Sequence, residues 1–165
     1  MKKESYEKMI RFFEASPVRS LFLEIICRLL PLLCAAVYIV CGAGLIYMKD
    51  GRLWRYLIVP AAGFVFVTVF RKIVNRQRPY EALGFQPFLK YKEGKGQSLP
   101  SRHTASAFLI AMACLYIHLW LGIPMLVLAG IIGASRVVSG MHYLSDIISA
   151  IFISLLIAVF AYYVI

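Results

Sequence analysis

An all-α, polytopic transmembrane helical bundle is the fold this sequence predicts, and three observations predict it. The chain of 165 residues is 61% hydrophobic and 16% charged, with a mean hydropathy of +0.78. That is more apolar side chain than one soluble core can hide. The apolar residues come in blocks close to the roughly 20 residues that cross a bilayer. Between the blocks lie short turns and one long basic loop, with no shift in composition that marks a second domain. The expectation is one membrane-embedded domain over 1–165, with an interfacial segment at 1–24 and a core of about five spans at 25–165.

The elements follow in order. The first 16 residues are charged throughout and lack both a long apolar stretch and a small-residue cleavage site, so no cleavable leader is expected. Tyr6, Met9, Ile10, Phe12 and Phe13 recur at helical spacing among Glu7, Lys8, Arg11 and Glu14, as in an amphipathic helix lying among lipid headgroups. Leu29 to Met48 makes a first span and Lys49-Asp50-Gly51-Arg52 a turn. Leu53 to about Val74 makes the second, with Trp54 and Tyr56 at the interface that aromatic rings favour. Asn75 to Arg102 is polar, basic and rich in Gly and Pro, and cannot lie in lipid with its backbone groups unpaired. Thr104 to Trp120 makes the third span, Gly122 and Pro124 a tight turn, Ile123 to about Val138 a short fourth span, and Ile147 to Ile165 the fifth.

The net charge of +10 does not indicate nucleic acid, because the basic residues fall between apolar blocks and form no continuous stripe. Anionic headgroups or phosphate suit them better. Cys27, Cys34, Cys41 and Cys114 lie inside apolar runs and read as small hydrophobes. Three histidines without a carboxylate or cysteine cluster do not make a metal site, and no cofactor is expected. The partners implied are the bilayer and a membrane lipid phosphate.

Five crossings place the end of span two, the start of span three, the end of span four and the start of span five on one face. Arg71, Arg78, Ser101, Arg102, His103, Ser135, Arg136, His142 and Asp146 all map to those four ends. Taken singly, each has an ordinary explanation: a charged helix flank, a helix cap, a snorkelling arginine. Together on one face they point to function, since ionisable groups at membrane depth are costly. His118, near the opposite face, has no such company and reads as structural.

The residue types suit phosphoryl transfer, in which negative charge spreads over the equatorial oxygens and fixed cations and N–H groups stabilise it. Arg71, Arg78 and Arg136 are the expected clamp, with Lys72 as an alternative to Arg71 one residue out of register. Ser101 stands where span three begins and can cap the helix or bind an oxyanion. His142 and Asp146 are four apart, which on a helix puts them on one face. The carboxylate can then orient the imidazole as a nucleophile. His103, on another span, can protonate the leaving alkoxide and later activate water. Pro100 and Ser135 flank these residues as further substrate contacts.

Three segments carry a resemblance: Arg71-Lys-Ile-Val-Asn-Arg-Gln-Arg78-Pro79, then Pro100-Ser101-Arg102-His103, then Ser135-Arg136 with His142 and Asp146. Together they resemble the signature motifs of the type 2 phosphatidic acid phosphatase superfamily, which includes vanadium-dependent haloperoxidases. The likeness runs over about residues 29–165. It implies the same roles for His142 and His103, a phosphohistidine intermediate, a lipid phosphate substrate such as phosphatidate, phosphatidylglycerol phosphate or a polyprenyl diphosphate, and an extracytoplasmic site.

This sequence departs from the family pattern in three ways. Arg71 stands where the family has Lys, Arg102 stands where it has Gly, and five spans replace the usual six. Arg102 adds a cation that can reach a second phosphate or an acidic headgroup. Of the 18 Lys and Arg residues, fifteen fall on the site face and only Lys49, Arg52 and Arg55 on the other. The positive-inside rule would put that face in the cytoplasm; because several of the fifteen are accounted for by phosphate binding, the expectation follows the resemblance. A lipid phosphotransferase and a non-catalytic lipid-binding protein are the rival readings, and the two histidines with Asp146 count against the second.

Overall fold

The computed structural model describes residues 1–89 and 96–164. The Glu93-Gly94-Lys95 part of the long loop, and Ile165 at the end of the fifth expected span, lie outside the described residues. Regular structure within them is helical: α1 (Lys3–Glu14), α2 (Pro17–Tyr47), α3 (Leu53–Val74), α4 (Pro79–Leu83), α5 (Arg102–Ile117), α6 (Leu119–Val138) and α7 (Leu144–Val159), the last running into a π-helical turn at Phe160–Val164. α2, α3, α6 and α7 with its π turn are long and apolar enough to cross a membrane, and α5 is a shorter apolar helix.

α5 is the central post. It packs against α2, α3, α6 and α7, and Ala105, Ala107, Ala111 and Ala113 let those neighbours approach closely. Its 16 residues rise only about 24 Å. A helix shorter than the hydrocarbon layer is tolerated here because protein rather than lipid surrounds it. The outer helices turn Leu29, Leu32, Ile39, Val40, Val65 and Phe152 outward, as expected where the bilayer is the solvent.

Three local expectations change. The first long helix begins at Pro17, not Leu29, so the expected break near residue 24 falls inside one continuous helix. Proline suits a first helical position, where its missing N–H costs nothing, and Ser16 before it is extended. The turn between α5 and α6 lies at His118, and Gly122 and Pro124 are inside α6. Gly122 serves a close crossing instead, since a Cβ there would stand 2.3 Å from the Leu115 Cα. Trp54 is exposed, whereas Tyr56 is fully buried. Tyr56 stacks on Tyr38 at 4.8 Å, and each hydroxyl donates to the other residue's carbonyl, at 2.9 and 3.1 Å, tying α2 to α3.

The amphipathic α1 docks its apolar face on the bundle rather than lying wholly among headgroups. Tyr6 and Ile10 are buried, Tyr6 stacks on Phe85 at 5.2 Å, and the Lys3 Nζ donates to the Gly84 carbonyl at 2.9 Å. Phe12 remains exposed.

Candidate active site

The site assembles at one end of the bundle, where α3 ends, α5 begins, α6 ends and α7 begins. Asp146 is its fixed point. It is the third residue of α7 and fully buried, and its Oδ2 reaches back to accept the Tyr143 N–H at 3.0 Å. That is the return half of a capping box, which holds a carboxylate at a helix N-terminus. The same carboxylate accepts the Ser98 hydroxyl and, through Oδ1, the Arg76 guanidinium at 2.8 Å. His142 lies before the helix, with Nδ1 3.4 Å from Asp146 Oδ2. The two therefore meet through the helix start, not by sharing one face of a helix as the four-residue spacing suggests.

His142 is almost wholly buried. Burial pushes its pKa below the ordinary histidine value; contact with Asp146 opposes this, and the positive charges of Arg78 and Arg71 add to the lowering. A neutral imidazole is the form these surroundings favour.

The arginines are held by main-chain oxygens. Arg71, in the last turn of α3, donates to the Gln97 carbonyl. Arg78, at the N-cap of α4, donates from Nε to the Gly96 carbonyl at 3.3 Å. Glu81 fastens the two stretches together, accepting the Arg78 N–H at 3.2 Å and the Gly96 N–H at 2.8 Å. Gly96 has φ +87°, and a Cβ there would lie 2.5 Å from Asn75 Oδ1, so only glycine suits this corner. Arg136, in the last turn of α6, donates from Nη2 to the Cys27 carbonyl at 2.6 Å. Pro31, four residues on in α2, has no N–H to give that carbonyl. The proline thus frees an acceptor that anchors an arginine on another helix.

Arg71, Arg78, Arg102, His103, Arg136, Met141 and His142 line one small cavity of about 10 Å³. Of the residues expected from sequence, the structure brings these two histidines and four arginines together, with Asp146 directly behind His142. It does not bring the others to the wall. Lys72 is exposed next to buried Arg71, because adjacent helical residues point about 100° apart. Ser101 makes no side-chain cap; its hydroxyl accepts the Thr104 hydroxyl at 3.0 Å, and its N–H donates to the Asp146 carbonyl at 3.1 Å. Pro100 is buried. Ser135 donates to the Ile132 carbonyl at 2.7 Å.

Sequence reasoning passed over Arg76 and Ser98, which both hold Asp146, and over the carbonyls of Cys27, Gly96 and Gln97. One signal was available: a carboxylate has about four acceptor positions, so a buried Asp146 requires more partners than one imidazole, and Arg76 was the remaining arginine of the same basic run. Among the described residues, no three His, Cys, Asp or Glu side chains gather as a metal-ligand group.

A helical membrane bundle with a histidine–carboxylate pair and converging arginines at one end defines the class of protein. The model of the PAP2 superfamily matches residues 52–165, which contain all of these side chains, and the chain belongs to that superfamily. No curated protein matches the chain in sequence. Among solved structures, it is similar to LpxE from Aquifex aeolicus, with 19% identity, a TM-score of 0.72, and coverage of 93% of this chain and 92% of that one. It is also similar to a transmembrane PAP2-type phosphatidylglycerolphosphate phosphatase from Bacillus subtilis, with 22% identity, a TM-score of 0.74, and coverage of 96% and 83%. At these identities the likeness is one of fold. The chain is an integral membrane protein with the PAP2 phosphatase fold.

Proposed function

We propose that the protein hydrolyses the phosphate ester of a membrane lipid through a phosphohistidine on His142, with no metal. The observation that carries this reading is the neutral-favouring, buried His142, backed by Asp146 and facing a cavity that four arginines and His103 share. With Nδ1 toward Asp146, Nε2 is the nitrogen left to attack phosphorus. As the new N–P bond forms, the P–O bond to the lipid breaks, and His103 gives its proton to the departing oxygen. Arg71, Arg78, Arg102 and Arg136 hold the charge on the equatorial oxygens, where arginine's planar fork suits phosphate. In the second step His103 takes a proton from water, the water oxygen attacks phosphorus, and His142 leaves as inorganic phosphate forms. Asp146 stabilises the imidazolium character of the intermediate, and Arg76 and Ser98 keep Asp146 in place. We place the site on the extracytoplasmic face.

The test is phosphate release by the purified protein over a panel of lipid phosphates, with excess chelator present throughout. The reading expects release from lipid substrates that chelator does not reduce and vanadate inhibits, since vanadate can adopt the trigonal bipyramidal shape of the transition state. Loss of activity in chelator with recovery on adding Mg²⁺ overturns the metal-free mechanism. No release from any lipid phosphate overturns the function.

A further inference from the structure

The peptide that carries His142 is gripped from three elements. It stands in the short connection between α6 and α7, where its N–H donates to the Arg136 carbonyl at 3.1 Å and its ring meets Asp146. Its carbonyl accepts the Tyr6 hydroxyl of α1 at 3.4 Å. Burial pushes the pKa of that hydroxyl up to about 12, so it remains a donor at neutral pH. The Tyr6 ring is fully buried. It packs with Val137 at the end of α6 and Ile147 at the start of α7, and it stacks on Phe85 at 5.2 Å. Ile10, one helical turn further on, shares that face. At Gly140, two residues before His142, a Cβ would lie 2.8 Å from Phe85 Cε2 and 3.2 Å from Ile10 Cδ1, so α1 and Phe85 press directly on the nucleophile's turn. The Lys3 bond to the Gly84 carbonyl holds α1 against the segment that carries Phe85.

We propose that Tyr6 is a positioning residue for the His142 nucleophile, which makes the N-terminal helix a working part of the active site. This rests on the reading of His142 as the group that attacks phosphorus. Tyr6 does not line the cavity, so it acts only through the peptide it holds. In-line attack needs Nε2 aimed at phosphorus, and a misplacement of about 1 Å can cost on the order of a hundredfold in rate. The hydroxyl contact is longer than the usual ~2.8 Å, so its own weight is small, about threefold. The larger share belongs to the ring, whose removal lets the turn at Gly140 relax toward α1.

The test uses the full-length protein in detergent with an aryl phosphate labelled in its phosphate, or with a labelled lipid phosphate where the parent accepts only lipid. Quenching in alkali within a turnover gives the rate of label transfer to the protein and the substrate concentration at half-maximal rate. Tyr6→Ala should lower the maximal rate by about tenfold to a hundredfold while that concentration changes by less than about twofold. Tyr6→Phe, which keeps the ring, should recover all but about threefold of the rate. Lys8→Ala, on the exposed face of the same helix, should match the parent. The ratio of vanadate to phosphate inhibition constants gives a second readout that does not depend on how much of a preparation is folded. Vanadate completes its trigonal bipyramid by bonding the attacking nitrogen, whereas phosphate reads the arginines alone, so Tyr6→Ala should raise the ratio by about tenfold. A general loosening of the site weakens both inhibitors alike. Label transfer by Tyr6→Ala at the parental rate, an unchanged ratio, or a Tyr6→Phe protein as impaired as Tyr6→Ala overturns the proposal. A parent that takes label from no phosphate ester refutes instead the reading of His142 on which the proposal rests.

Discussion

At the residue scale, Asp146 and His142 share one buried environment. Because burial lowers the His142 pKa, the free enzyme keeps a neutral nucleophile as pH falls past about 6.5, the ordinary value. The acid limb of kcat/KM, which reports the free enzyme, should therefore lie below that pH. Asp146 is the contact that raises the His142 pKa. Asp146→Asn should thus move the limb further to acid while lowering the plateau by on the order of a hundredfold or more, as general acid–base and orienting losses do. The substrate's own ionisation is common to both profiles and cancels in the comparison. A limb that moves toward alkaline pH would contradict the assignment. Arg76→Ala removes the 2.8 Å partner of Asp146 without touching the cavity wall, so it should lower kcat while leaving KM nearly unchanged.

At the element scale, the helix ends make the site, and much of this was legible in the sequence. The hydropathy blocks indicated five crossings, and threading alone put Arg71, His103, Arg136 and His142 at one end. What the sequence could not show was which backbone oxygens would be available. Gly96 and Gln97 reach Arg78 and Arg71 through a loop whose path is set by Glu81 and a left-handed glycine, and composition carries no trace of that path. The α5–α6 turn was misplaced for a similar reason. Gly122 and Pro124 are common turn residues, but here one admits Leu115 of the facing helix and the other sits inside α6.

Pro31 provides the sharpest test at this scale. Pro31→Ala restores an N–H that the Cys27 carbonyl can accept, so helix α2 gains up to about 3 kcal/mol of intrinsic preference while Arg136 meets competition for its anchor. The expected result is a protein at least as stable as the parent whose kcat/KM falls by about tenfold or more, the weight of one charge-assisted hydrogen bond. Thermal unfolding and kinetics on the same preparation measure both. Lower stability with unchanged kcat/KM would show that the proline serves packing alone.

At the scale of the whole molecule, the bundle puts its polar chemistry at one end and its tyrosine-locked turn at the other. The Asp50–Arg52 pair, at 2.7 Å, belongs to the turn at that other end. Its Asp50 pKa is held low by hydrogen bonds from Arg52. The α1 helix closes the site end from behind, with the Tyr6 hydroxyl 3.4 Å from the His142 carbonyl. Threading of the sequence assigns fifteen of the 18 Lys and Arg residues to the site face, so charge counting and phosphate binding make opposite claims about its side of the membrane. An extracytoplasmic site predicts that a cysteine placed in the Glu93-Gly94-Lys95 stretch reacts with an impermeant thiol reagent in intact cells, while one replacing Lys49 reacts only after lysis. The reverse pattern places the site in the cytoplasm.

The central claim is covalent catalysis at His142, and trapping the intermediate measures it directly. Protein mixed with a lipid substrate labelled in its phosphate, then quenched in alkali within a turnover, should retain label that is alkali-stable and acid-labile, and peptide mapping should place it on His142. With a labelled aryl phosphate, whose leaving group needs no proton, His103→Ala should retain label for longer, because the proton acceptor for the second step is gone, and His142→Ala should retain none on either substrate. Label on His103, or undiminished lipid hydrolysis by His142→Ala, would contradict the account.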